Sequence, residues 1–143
     1  MSIQNAKILL VEDDVNHRFI VEDLLCRRGW EVVAAPDAHQ AFLAAREFKP
    51  DVLVADWVLP DKITGGVLAA LLRGFLPRLH LVFISGLLVA DLEVQARDLA
   101  PCVFIQKPYN PGELVSAIER QLSESQTRET QENLIPCPGP VTN

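Results

Sequence analysis

Short, continuously apolar runs separated by amphipathic stretches of helical length constrain this 143-residue chain more than any other feature. The runs fall at 7–11, 31–35, 51–55, 79–84 and 102–105, and include ILLV and VLVA. The amphipathic stretches between and after them fall at 15–28, 38–48, 66–74, 88–99 and 111–123. Strands alternating with helices of that length make βαβ units and a parallel sheet. Runs with no polar member suit strands covered by helices on both faces. The pattern predicts one α/β domain over 1–124, a size able to bury roughly 70% of the surface exposed by the unfolded chain.

The punctuation agrees with this reading. Asp14 reads as the N-cap of the first helix. Gly29 stops that helix, with Arg27 and Arg28 in its last turn. Asp37 caps the second helix, with Gln40 three residues on as in a capping box. Asn110 and Pro111 read as N-cap and first residue of the last helix. From 125 to 143 the chain is polar and Pro-rich with no period, which predicts a disordered or loosely attached tail.

Nineteen acids against thirteen Lys and Arg give a net charge of −6, which argues against a nucleic-acid-binding surface. No run reaches the roughly 18 apolar residues of a membrane span. The amino terminus, MSIQNAKILLVEDD, does not read as a signal peptide, because its short apolar run ends in acids. Cys26, Cys102 and Cys137 are odd in number and form no metal-like pair, so they read as reduced thiols of a cytoplasmic protein, two in the core and one in the tail. His17, His39 and His80 read as surface residues, and Trp57 as partly exposed lining.

Ligands of an open parallel sheet bind beyond the carboxyl ends of its strands. There the first run is followed by Glu12, Asp13 and Asp14, the third by Asp56, the fourth by Ser85 and Gly86, and the fifth by Gln106, Lys107 and Pro108. One acid after a strand is commonly a helix cap. Acids, a hydroxyl and an amine on one edge form a set. Converging carboxylates repel and raise one another's pKa values, and one lysine cannot neutralise three. Oxygen ligands with no His or Cys suit Mg²⁺, which takes one or two carboxylates together with a substrate phosphate. An aspartate nucleophile with a cation, a lysine and a hydroxyl around it is a layout for phosphoryl transfer.

LLVEDD, VLVADWVLPD, FISG and IQKPY, in that order, resemble the receiver domain of two-component response regulators of the single-domain, chemotaxis-regulator type. The resemblance covers about residues 6–124. It implies a flavodoxin-like, doubly wound, five-stranded sheet of order 2-1-3-4-5 with five helices. It implies that Asp56 accepts a phosphoryl group from a sensor histidine kinase or histidine phosphotransfer protein. On the same basis Asp13, Asp56 and the backbone carbonyl of Val58 would bind Mg²⁺, with Glu12 in the outer shell. Ser85 and Lys107 would contact the phosphoryl oxygens, Lys107–Pro108 would be cis, and Phe104 would stand at an aromatic switch. The signal would leave by contact with a protein partner, from a monomer or a phosphorylation-linked dimer.

The chain departs from the family pattern in three places. The loop from Pro60 to Gly65 is one residue longer than Pro-x-x-x-Gly, Phe104 lacks the frequent tyrosine hydroxyl, and Val58 and Leu87 replace polar residues that orient a hydrolytic water. The last departure predicts slow loss of the phosphoryl group. Two competing readings are a non-phosphorylated flavodoxin-like interaction scaffold and a phosphatase of the haloacid dehalogenase type. The latter would carry a second acid where Val58 stands.

Overall fold

The computed structural model describes residues 5–134, with side chains through 124. Its elements are β1 (Lys7–Val11), α1 (Val15–Arg27), β2 (Glu31–Ala35), α2 (Ala38–Phe48), β3 (Val52–Asp56), α3 (Gly65–Arg73), β4 (His80–Ser85), α4 (Val89–Gln95), β5 (Cys102–Gln106) and α5 (Pro111–Leu134). The strands are parallel and form one five-stranded sheet of order β2-β1-β3-β4-β5. This is the flavodoxin-like arrangement expected.

Alternation along the strands divides the core in two. Leu9, Leu53, Ala55, Leu81 and Phe83 face one side and pack on α2, α3 and Leu92 of α4. Ile8, Leu10, Val52, Val54, Val82 and Ile84 face the other and meet Val21 and Leu25 of α1 and Leu114, Ile118 and Leu122 of α5. β3 and β4 are buried at every position, so the central strands end in a dry environment.

The helix ends follow local chemistry. Asp14 accepts from the His17 backbone N–H, Asp37 from that of Gln40 and Thr64 from that of Val67. Asn110 and Glu113 cap α5 reciprocally, each side chain accepting from the other's backbone N–H at 3.0 and 3.1 Å. Gly29 closes α1 in the left-handed region, with φ 102°. Both Ala100–Pro101 and Lys107–Pro108 are cis.

Several expectations are corrected. β3 begins at Val52 and includes Asp56, because Asp51 is held at its entrance by the Lys7 N–H bonded to its carboxylate at 2.9 Å. The stretch predicted at 88–99 divides into α4 and a 3₁₀ turn over Arg97–Leu99. α5 continues past 123 to Leu134. That extension contains several Glu and Gln and no Gly or Pro, so no strong helix breaker stops it where the apolar period ends; residues 135–143, with Cys137, lie outside the described residues. Cys26 is exposed, not core, because Val21 and Leu25 define the inward stripe of α1. His80 is buried, since all of β4 is covered, and its Nδ1 meets Gln121 Oε1 of α5 at 3.2 Å.

Trp57 is buried too. It continues the Leu53, Ala55 alternation onto the inner face and stacks edge-on to Phe83, with centroids 5.1 Å apart. Gly66 makes room for it, and Gly65 for the Asp56 backbone. A Cβ at Gly66 would fall 2.5 Å from the indole, and one at Gly65 would fall 2.6 Å from the Asp56 carbonyl oxygen. Gly65→Ala and Gly66→Ala are therefore expected to destabilise the domain by about 1–3 kcal/mol each, the usual range for overpacking, as read by urea denaturation.

Candidate functional site

The carboxyl edge of the sheet gathers the groups that follow β1, β3, β4 and β5. Asp56 is the last residue of β3, in register with Ile84 of β4, and Ser85 comes one step later. Ser85 is itself in register with Gln106, the residue before Lys107. Parallel pairing thus places carboxylate, hydroxyl and amine on neighbouring strand ends. From β1, Glu12 and Asp13 complete the group: one oxygen each from Glu12, Asp13 and Asp56 lie within 4.8 Å of one another.

Asp56 is 6% exposed, and its Oδ1 is buried without a hydrogen-bond partner. The Lys107 Nζ stands 3.4 Å away. Burial, then the charge on Glu12, push the Asp56 carboxyl up to about 7 against the opposing pull of Lys107. Glu12 behaves in the opposite way. Burial opposes its ionisation, but the Asp14 backbone N–H at 3.1 Å and His17 at 2.7 Å outweigh it and hold the carboxyl below its ordinary value. Burial and the charges of Asp56 and Glu12 together push the Tyr109 phenol up to about 12.

The residues fit a small hard cation. A buried carboxylate oxygen that lacks a hydrogen bond and faces two further carboxylates is stabilised by a divalent ion that accepts oxygen ligands, and receiver domains bind Mg²⁺ through such acids. Asp13 is exposed, whereas Glu12 is buried and both its oxygens already have hydrogen-bond partners.

Ser85 is buried, and its Oγ accepts the Leu87 backbone N–H at 2.9 Å, leaving the hydroxyl proton to donate elsewhere. Val58 forms a bridge with Thr64 that closes the long loop. At the tip of this loop the Asp61 carboxylate accepts from the backbone N–H groups of Ala38 and His39 at 3.3 and 3.0 Å, tying it to the start of α2. Nothing local in the sequence marks that clasp. Phe104 is half-buried against Phe83 and Trp57, at centroid distances of 5.3 and 5.8 Å. It also lines a groove of about 590 Å³ with Val89, Ile105 and Arg120.

His17 is not a plain surface residue. It is half-buried between Glu12 and Tyr109 and lines a cleft of about 530 Å³ with Asp14, Lys107 and Pro108. A sequence signal was present: His17 stands three residues after the cap Asp14, on the turn nearest Glu12. Leu87 and Leu88 are exposed and Leu92 is core. Among the described residues no helix is long and apolar enough to cross a membrane.

The raised Asp56 value has a thermodynamic consequence. The folded, metal-free domain binds a proton at Asp56 more tightly than the unfolded chain, so stability falls as pH rises from the ordinary 3.8 through about 7. Asp56→Asn removes that penalty. Without Mg²⁺ it is expected to raise the unfolding temperature by a few degrees at about pH 8 and by much less at about pH 5, a difference that differential scanning calorimetry resolves.

Residues 8–119 match the family model described as the response regulator receiver domain. The protein called probable transcriptional regulator ycf27 from Cyanophora paradoxa is 30% identical over 127 residues, which cover 88% of this chain and 52% of that protein. The chain spans about half the length of several curated relatives it matches. A two-component response regulator of the LuxR family from Aurantimonas sp. SI85-9A1 superposes with a TM-score of 0.76 at 30% identity, covering 84% of this chain and 86% of that one. A response regulator receiver domain protein from Clostridium thermocellum, at 22% identity, shares the fold with a TM-score of 0.77 over 85% of this chain and 98% of its own.

Proposed function

The chain belongs to the response regulator receiver domain family of two-component systems, and on that premise we propose that Asp56 accepts a phosphoryl group from the phosphohistidine of a sensor histidine kinase or histidine phosphotransfer protein. The observation that carries this is the buried Asp56 Oδ1, without a hydrogen-bond partner, facing Glu12 and Asp13 and ion-paired with Lys107 at 3.4 Å. A carboxylate oxygen of Asp56 forms the new P–O bond as the P–N bond to the donor imidazole breaks, and the departing ring nitrogen keeps the electron pair and takes up a proton. Bound Mg²⁺ supplies positive charge to the phosphoryl oxygens. Asp13, Asp56 and the Val58 carbonyl would hold it, with Glu12 accepting from its water. Lys107 neutralises a second phosphoryl oxygen, and the Ser85 hydroxyl donates to a third.

Phosphorylation converts a group balanced near neutrality into a fixed dianion-like charge. The Ser85 hydroxyl and the loop after it are drawn toward that charge. Phe104 sits between the aromatic cluster of Trp57 and Phe83 and the groove formed by α4, β5 and α5. Its repacking would carry the change to that groove, where a protein partner would read it. The site lies in a cytoplasmic protein on this reading.

Incubation with acetyl phosphate and Mg²⁺ is expected to add one phosphoryl mass to the wild type, read by intact mass spectrometry. Asp56→Asn and EDTA-treated wild type should gain none. Labelling of Asp56→Asn to the wild-type level would place the acceptor elsewhere. The decay of the same peak tests the flanks. Val58 is 66% exposed and Leu87 52% exposed, both apolar at the mouth of the site. Neither can orient water, so the phosphoryl group should persist for many minutes, and Leu87→Glu should shorten its life several-fold. Decay of the wild-type peak within seconds would contradict that role.

A further inference from the structure

Glu12 does not sit free among the carboxylates. Its Oε2 accepts the Asp14 backbone N–H at 3.1 Å, and its Oε1 lies 2.7 Å from His17 Nδ1. The opposite ring nitrogen, His17 Nε2, is 3.2 Å from the Tyr109 hydroxyl. The two rings meet edge to face with centroids 6.0 Å apart. Tyr109 belongs to the segment that follows Lys107 and Pro108. A single imidazole in the first turn of α1 therefore touches an acid of the cation cluster on one side and the lysine-bearing loop on the other.

The protonation pattern of this chain follows from its acceptors. An ionised carboxylate only accepts, so His17 Nδ1 carries the proton that Glu12 receives. In the neutral ring Nε2 is then an acceptor, and the Tyr109 hydroxyl donates to it. The Glu12 carboxylate sets the tautomer, and the Tyr109 contact at Nε2 holds the ring in place against it. Arg18 reinforces the same point, since its Nη1 donates to the Glu12 carbonyl at 2.9 Å. This is the arrangement by which outer partners orient groups around a metal.

The geometry points to His17 as a positioning residue for the cation site, holding the Glu12 carboxylate in its outer-shell orientation, with Tyr109 holding His17. The inference deepens the phosphoacceptor reading and rests on it. His17 touches neither the phosphoryl donor nor the cation in this scheme; it acts through Glu12. A purely structural staple between α1 and the loop after β5 is the competing role.

The test is the rise in unfolding temperature as Mg²⁺ is added, measured on the full chain without any phosphoryl donor. Wild type, His17→Ala, His17→Asn and Tyr109→Phe are compared. Asn keeps an N–H donor near the Nδ1 position and loses the Tyr109 partner. His17→Ala should require about tenfold more Mg²⁺ for the same rise, the lower end of the effect of losing an outer-shell partner. His17→Asn should recover most of that loss, and Tyr109→Phe should fall between wild type and His17→Ala. A structural staple would lower the starting temperature of His17→Ala and leave its Mg²⁺ dependence at the wild-type value, which overturns the positioning role. Failure of His17→Asn to recover any Mg²⁺ response also overturns it. Absence of any Mg²⁺ response in the wild type overturns the phosphoacceptor reading itself, and the positioning role with it.

Discussion

A carboxylate at the dry end of a central parallel strand is the constraint on which the rest of this structure depends. β3 is flanked by β1 and β4 and buried along its whole length, so Asp56 cannot reach water as a surface acid does. Charge in that position is costly unless it is matched. Lys107 at 3.4 Å matches part of it and Glu12 works against it. The site is therefore poised: a proton, a divalent cation or a transferred phosphoryl group each changes the local charge, and each has a different set of partners.

The surroundings of Asp56 are packed rather than solvated. Trp57 continues the strand into an aromatic cluster with Phe83 and Phe104. Gly65 and Gly66 let α3 approach that cluster and the Asp56 backbone more closely than any side chain would permit. Close-packed interiors deform in discrete steps and not continuously. On the proposed reading, a shift at the Asp56 edge would reach the groove beside α4 and α5 through these ring contacts, without any long polar path. Tyrosine at position 104 would add a hydroxyl to this route; phenylalanine leaves it to shape alone.

Much of this was legible in the sequence, and what escaped shows why. Apolar runs alternating with amphipathic stretches specify βαβ units, because no other arrangement buries both faces of five such strands. The acids, Ser85 and Lys107 were legible because strand ends in a parallel sheet share one edge. Contacts between distant segments were not. His17 and Tyr109 are 92 positions apart, His80 meets Gln121 of α5, and Asp61 reaches α2 across a loop whose course the sequence does not dictate. Cys26 faces outward because the inward stripe of α1 is narrow, and α5 runs on past its apolar period because no Gly or Pro stops it. These features lie at element ends and in tertiary partners, where local rules have least force.

The central claim is that Asp56 is a buried carboxylate held near its point of ionisation until a cation stabilises its charge. Carbon-13 NMR of the Asp56 carboxyl across pH, assigned by comparison with Asp56→Asn, tests it directly. A midpoint of about 7 is expected without Mg²⁺, and one several units lower with saturating Mg²⁺. A midpoint at the ordinary carboxylate value in both conditions would contradict it, since Asp56 would then be neither frustrated by burial nor coupled to a cation.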